Sequence, residues 1–244
     1  MIPALAWAGG SGGAGMGLSA GGNPDVRAGN VPVSATSGGI TLVGNASNFV
    51  RSGVSVTGTV PAGDAGDAVE IDQLGPAPGA SWASMAVVHP ASDGSFSAAW
   101  HTGQGPLTIR AVLQANQASS AAASSPAVSV TVYRRSLATL YGPGFYGHRT
   151  ACGVILRRRT IGVANRTLRC GTDVQIYYGG SVITVPVIDR GPYAHNANWD
   201  LTVATGRALG MGGTAVVGAA SAPTTASGTT SAPASGTTSA PSGQ

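Results

Sequence analysis

What most constrains this chain is that its apolar residues between 31 and 133 come in short runs cut by Gly, Pro, Asp and Asn. Runs at 40–43, 54–60, 68–74, 84–88, 95–100, 107–113 and 128–133 are each of strand length. Alternation is plain at Val54, Val56, Gly58 and Val60, and at Leu107, Ile109, Ala111 and Leu113. It fits sheets with one face in a core and the other in water. The Ala- and Ser-rich stretch 114–126 reads as a loop before the last of these strands.

Seven such strands predict an antiparallel sandwich of immunoglobulin or fibronectin type over 31–133. With 244 residues the chain is long enough for two modest cores. The sandwich region has no Cys and no cluster of His or paired carboxylates, so its expected role is a spacer or binding module. His89 and His101 stand alone and read as surface or packing residues. Trp82 and Trp100 read as core, with a sugar-stacking surface as the alternative.

A second unit is expected over 137–217, organised around Val185-Pro186-Val187-Ile188-Asp189-Arg190-Gly191-Pro192-Tyr193. This apolar, β-branched run ends abruptly in a carboxylate, a guanidinium and a Gly-Pro turn. A carboxyl group fixed at the end of a buried strand is suited to acid/base work, which makes Asp189 the leading functional residue. An ion pair with Arg190 or Arg207 that merely holds the fold is the alternative. Strand patterns at 173–178 and 181–188 meet through Gly179-Gly180, a hairpin signal. Thr202 is placed to cap a short helix over 203–209 that Gly210 ends.

Charge separates the two halves. Up to Tyr133 there are three Arg against six acidic residues; from Arg134 onward there are ten Arg against three Asp, and the chain has no Lys. The basic half is suited to a polyanion, either nucleic acid or an anionic cell wall. No nucleic-acid-binding motif is present, so nucleic acid is not expected as a partner. Arg157-Arg158-Arg159 reads first as a solvated loop.

The two cysteines, Cys152 and Cys170, lack the spacing and the His partners of a zinc site. They suit a disulfide in an oxidising compartment, with two packed thiols as the alternative. No metal or organic cofactor is indicated. Residues 1–30 read as a Gly-rich leader or a signal-peptide remnant, with no apolar run long enough to span a membrane. Residues 219–244 repeat Ser-Ala-Pro and Gly-Thr-Thr and read as a disordered tail.

Several ordered blocks resemble the rare lipoprotein A (RlpA) group of double-psi β-barrel proteins, in its actinobacterial type. They are Ala138-Thr139-Leu140-Tyr141-Gly142, Thr150-Ala151-Cys152-Gly153, Asn165-Arg166-Thr167-Leu168, Asp189-Arg190-Gly191-Pro192 and Trp199-Asp200-Leu201-Thr202. The resemblance implies a small six-stranded barrel in which a disulfide ties two loops. It also implies an exported, monomeric, cell-wall-associated protein acting on peptidoglycan glycan strands as a lytic transglycosylase.

By resemblance, Asp189 and Asp200 carry the chemistry, while Arg190, Tyr193, Asn165, Tyr141 and Trp199 line the substrate. Asp200 has a buttressing role as its alternative, and Tyr141, Tyr193 and Trp199 have packing roles as theirs. The sequence departs from the family pattern at Val154, where the family has Glu, and at Asn165, where it has His; the chain's single Glu is Glu70. These departures keep open a non-catalytic, expansin-like wall-binding protein. A barwin-type structural barrel explains the Asp-Arg-Gly-Pro block less well.

Overall fold

The computed structural model describes residues 25–114, 127–194 and 196–222. Its strands are β1 (Val26–Ala28), β2 (Pro32–Ser37), β3 (Ile40–Asn45), β4 (Ser47–Phe49), β5 (Val54–Thr59), β6 (Ala68–Leu74), β7 (Ala83–Val88) and β8 (Ser95–Trp100). They continue as β9 (Gly105–Gln114), β10 (Val128–Tyr141), β11 (Val163–Ala164), β12 (Asp173–Tyr178), β13 (Ser181–Asp189), β14 (Trp199–Thr202) and β15 (Ala215–Ser221), with one short helix, α1 (Val203–Ala208).

The first half is a sandwich of two sheets. One runs β2-β3-β5-β8; the facing one runs β7-β6-β9-β10, with β4 parallel to β10. The alternation legible in the sequence selects the inner faces: Ile40 and Leu42 from β3, Val54 and Val56 from β5, Ile109 and Ala111 from β9, and Val130 and Val132 from β10 form one core. Gly58 continues the inward face of β5 without a side chain because a Cβ there would strike the Phe96 ring and the Thr41 carbonyl. Trp100 is half-buried, and its Nε1 donates to Gln73 Oε1 (2.8 Å). Trp82, also half-buried, lies under the Arg110 guanidinium at 4.2 Å. His89 and His101 are exposed.

The second half closes into a six-stranded barrel. Round the ring the order is β10-β14-β11-β13-β12-β15, and β15 pairs back onto β10. The β10–β14 and β11–β13 pairs are parallel, and the others antiparallel. Its interior is packed by Val163, Val174, Ile176, Ile183, Val185, Val187 and Leu201. The Gly179-Gly180 hairpin forms as expected, both glycines having positive φ. Thr202 caps α1 by accepting from Thr205 N–H, and Gly210, at φ 73°, lies beyond its end.

The two halves share a strand. β10 runs unbroken through residues 133–137, where the sequence reading puts a boundary, and carries Arg134 and Arg135 there, both exposed. Phe49, Tyr133 and Tyr177 stack at the seam with centroids 5.3–6.0 Å apart, and Arg135 lies 4.6 Å over Phe49. Buried Gln175 accepts hydrogen bonds there from Thr131 (3.1 Å) and Tyr133 (3.0 Å).

Both outer limits of the fold also differ from the sequence reading. Val26–Ala28, expected in the leader, pairs with β13 at the barrel's edge. Ala219 to Ser221, expected in the tail, completes β15 and is paired with β10 or β12. The rest of the expected leader (1–24), most of the expected loop (115–126) and the expected tail from 223 lie outside the described residues.

Candidate functional site

The ring order brings the two aspartates together. Asp189 ends β13 and Asp200 sits on β14, and both are in register with Ala164 of the two-residue strand between them. Two inter-strand spacings put their Cα atoms about 10 Å apart. Gly162 allows this close approach, since a Cβ there would meet the Ile188 side chain at 2.7 Å. On the other flank of Asp200, parallel β10 sets Thr139 opposite it, and Tyr141, two residues on, shares Thr139's face.

Each carboxylate is held differently. Asp189 Oδ1 accepts from two backbone donors, Ala151 N–H (2.9 Å) and Arg190 N–H (2.8 Å). Among the described residues neither Arg190 nor Arg207 forms an ion pair with it, whereas Arg110 pairs with Asp72 in the sandwich. Asp200 Oδ1 accepts from Thr139 Oγ1 at 2.8 Å. Burial raises the Asp200 carboxyl above its ordinary range, the Thr139 bond opposes this, and the negative charge of Asp189 adds to it. The helix cap is Thr202, so Asp200 is free of that duty.

Tyr141 completes the floor. Its hydroxyl is buried without a hydrogen-bond partner, and burial, then Asp189, then Asp200, raise its pKa. It therefore stays a neutral donor beside two acids.

The wall is made by two loops joined through the Cys152–Cys170 disulfide, with S–S 2.04 Å. The disulfide reading of the pair is thus the correct one. It matters to the site because Ala151, the neighbour of Cys152, supplies the backbone donor to Asp189. Arg190 sits at the seam of the loops, donating from Nη1 to Asn165 O (3.3 Å), with Nη2 3.3 Å from Cys170 Sγ.

The remaining expected residues divide. Asn165 is spent locally: Oδ1 accepts from Thr167 N–H and Leu168 N–H, and Nδ2 donates to Asn198 O. Tyr193 is 79% exposed beyond the Gly191-Pro192 turn, open to a ligand. Trp199 is the correction: at 7% exposed it packs in the barrel core, because it alternates with Asp200 along β14 and faces the opposite way. Its ring offers no face to a substrate. Val154, at the family's Glu position, is an exposed apolar group. Thr139 and the Ala151 N–H were not singled out as site groups from sequence. The period-2 relation of Thr139 to Tyr141 is the signal that points to the first.

A closed six-stranded barrel of this connectivity, with acids on one row beside a disulfide-tied loop wall, is a double-psi β-barrel. A family model described as lytic transglycolase matches residues 133–220, and that segment is RlpA-like. The probable endolytic peptidoglycan transglycosylase RlpA of Synechocystis sp. is 34% identical over 87 residues, 35% of this chain and 27% of that protein. That of Aquifex aeolicus is 37% identical over 81 residues, 32% of this chain and 36% of the relative. The endolytic peptidoglycan transglycosylase RlpA of Campylobacter jejuni is 34% identical over 68 residues, 27% of this chain and 25% of the relative. The chain thus spans about a quarter to a third of the length of these relatives, and the likeness lies in the barrel. No helix among the described residues is long and apolar enough to cross a membrane.

Proposed function

We propose that the barrel is a lytic transglycosylase unit that cleaves peptidoglycan glycan strands outside the cytoplasm, with Asp189 and Asp200 as its working acids. The observation that carries the reading is the row Asp189–Ala164–Asp200 beside Tyr141, in which burial raises the Asp200 carboxyl above its ordinary range. A protonated Asp200 gives that proton to the leaving glycosidic oxygen, and its carboxylate then takes one from the C6 hydroxyl of the muramic residue. The C6 oxygen closes on the anomeric carbon, and an anhydromuramyl end forms without water. Asp189, fixed by two backbone donors, offers negative charge to the oxocarbenium-like sugar between those steps. The names of the relatives favour this substrate, and the disulfide favours an oxidising compartment.

Tyr193 and Arg190 are the groups we assign to holding the strand. A second reading, a non-catalytic expansin-like wall binder, is favoured by exposed Val154 and by an Asn165 side chain already engaged with its own loop.

One experiment separates the two: the full chain, Asp189→Asn and Asp200→Asn are each incubated with peptide-free glycan strands, and bound and soluble fragments are both measured. The transglycosylase reading expects wild-type protein to release fragments while both variants bind without release. Binding with no release by wild-type protein rejects that reading in favour of the wall binder.

A further inference from the structure

A hollow of about 460 Å³ lies between the sandwich and the barrel, within the roughly 300–1,000 Å³ range of small-ligand pockets. Its floor is the outer face of the sheet that holds β9 and β10. There Thr108 alternates with the core residues Leu107 and Ile109, and Ser129, Thr131 and Tyr133 alternate with Val128, Val130 and Val132. Its wall is the segment from Arg27 to Val31 that leads from β1, on the barrel, to β2, in the sandwich. This strap is tied at both ends, Gly29 N–H donating to Gly180 O (2.8 Å) and Val31 O accepting from Ala46 N–H (2.9 Å). Val182 closes the barrel side, and it precedes Asp189 by seven residues of β13, a distance of about 23 Å. The hollow is therefore separate from the aspartate row.

The lining is divided by chemistry. Arg27 is exposed, no acidic residue lines the hollow, and no carboxylate pairs with Arg27 among the described residues. Burial raises the Tyr133 pKa, and Ser47, Thr131 and then the charge of Arg27 oppose it, which places the cation at the Ser47–Tyr133 corner. Thr131 and Tyr133 already donate to Gln175, and Ser47 bonds to Tyr133. The guanidinium of Arg27 is thus the donor left for a ligand at this corner. Further along the lining is apolar: Leu74 and Pro106 are half-buried, and Val31 is 36% exposed.

A guanidinium fork matches one carboxylate in two-point geometry, whereas the second charge of a phosphate monoester would find no second cation here. The apolar end gains by being covered with hydrocarbon. We propose that the hollow is a binding site for a small monocarboxylate with a compact apolar body, its acid held by Arg27 and its body laid against Val31, Leu74 and Pro106. Such a ligand touches the strap and the sandwich floor together and so fastens the seam. The proposal does not depend on the reading of the aspartates.

The test is an NMR titration at neutral pH of the full chain, with labelled Val and Leu methyl groups, using hexanoate as the probe and acetate, hexanol and hexylamine as comparators. Hexanoate is expected to bind with a Kd in the millimolar range or tighter and to shift the methyls of Val31, Leu74 and Val182. Acetate should bind at least about tenfold more weakly, because each buried methylene is worth roughly a factor of four, and hexylamine should not bind. Arg27→Gln is expected to weaken hexanoate about tenfold, to the level of hexanol, while Arg51→Gln, which removes an exposed cation elsewhere on the sandwich, changes nothing. Ser129→Phe, a substitution at an exposed floor position, should fill the hollow and block both probes. No binding of hexanoate at about 10 mM, binding no tighter than that of hexanol, a preference retained in Arg27→Gln, or shifts centred away from these methyls would each overturn the proposal.

Discussion

Gln175→Leu tests whether the sandwich and barrel are one folded body. Gln175 is 1% exposed on β12, and its Oε1 takes the Thr131 and Tyr133 hydroxyls, both on the shared strand β10. Leucine fills much of the same space but leaves two buried donors without that acceptor. Each such loss costs about 1–3 kcal/mol. Ser47 lies within hydrogen-bond reach of the Tyr133 hydroxyl and offers partial replacement there, so the expected loss is about 2–3 kcal/mol, a large share of a typical domain's stability. Urea unfolding read by tryptophan fluorescence reports both halves, since Trp82 and Trp100 lie in the sandwich and Trp199 in the barrel. Adding Thr131→Val and Tyr133→Phe is expected to recover stability to within about 1 kcal/mol of wild type, because no buried donor is then stranded. A single variant within about 0.5 kcal/mol of wild type, or a triple variant no better than the single, refutes the reasoning.

Two further predictions concern the site. The Thr139 bond lowers the Asp200 carboxyl pKa, so Thr139→Val should raise it further and carry the alkaline limb of activity to higher pH; Asp189→Asn removes a charge that raises it and should lower the Asp200 titration seen by carboxyl NMR. Shifts in the opposite directions would remove Asp200 from the acid role. Replacing both cysteines by Ser opens a link of sequence separation 18 and should cost about 3 kcal/mol in chemical denaturation. Activity should fall along with stability, because the Ala151 donor to Asp189 hangs on the same loop; unchanged activity would detach the loop from the site.

Strands with local signals were legible in the sequence: the alternating runs at Val54 and Leu107, the Gly179-Gly180 hairpin and the Thr202 cap each depend on neighbours a few residues away. What escaped depends on distant partners. Residues 219–221 look like the start of a Ser- and Ala-rich tail, yet they complete β15, and small residues are what this strand's position requires, since a Cβ on Gly218 would meet Tyr133 at 2.9 Å and Phe49 at 3.0 Å. Two-residue β11 is too short to carry a pattern, although it is the strand that joins the two aspartate rows. Arg134 and Arg135 read as a boundary because two exposed charged residues in succession look like a linker. In the site, Asp189 and Asp200 were legible from their motifs. The Ala151 N–H was not, because a backbone donor brought in by a disulfide-tied loop leaves no side-chain signature.

The most direct measurement of the central claim is mass spectrometry of peptide-free glycan strands digested in heavy-oxygen water. Transfer to the C6 hydroxyl predicts anhydromuramyl ends with no heavy oxygen, absent from digests with Asp200→Asn. Reducing ends carrying heavy oxygen, or strands left intact by the wild-type protein, would contradict the account.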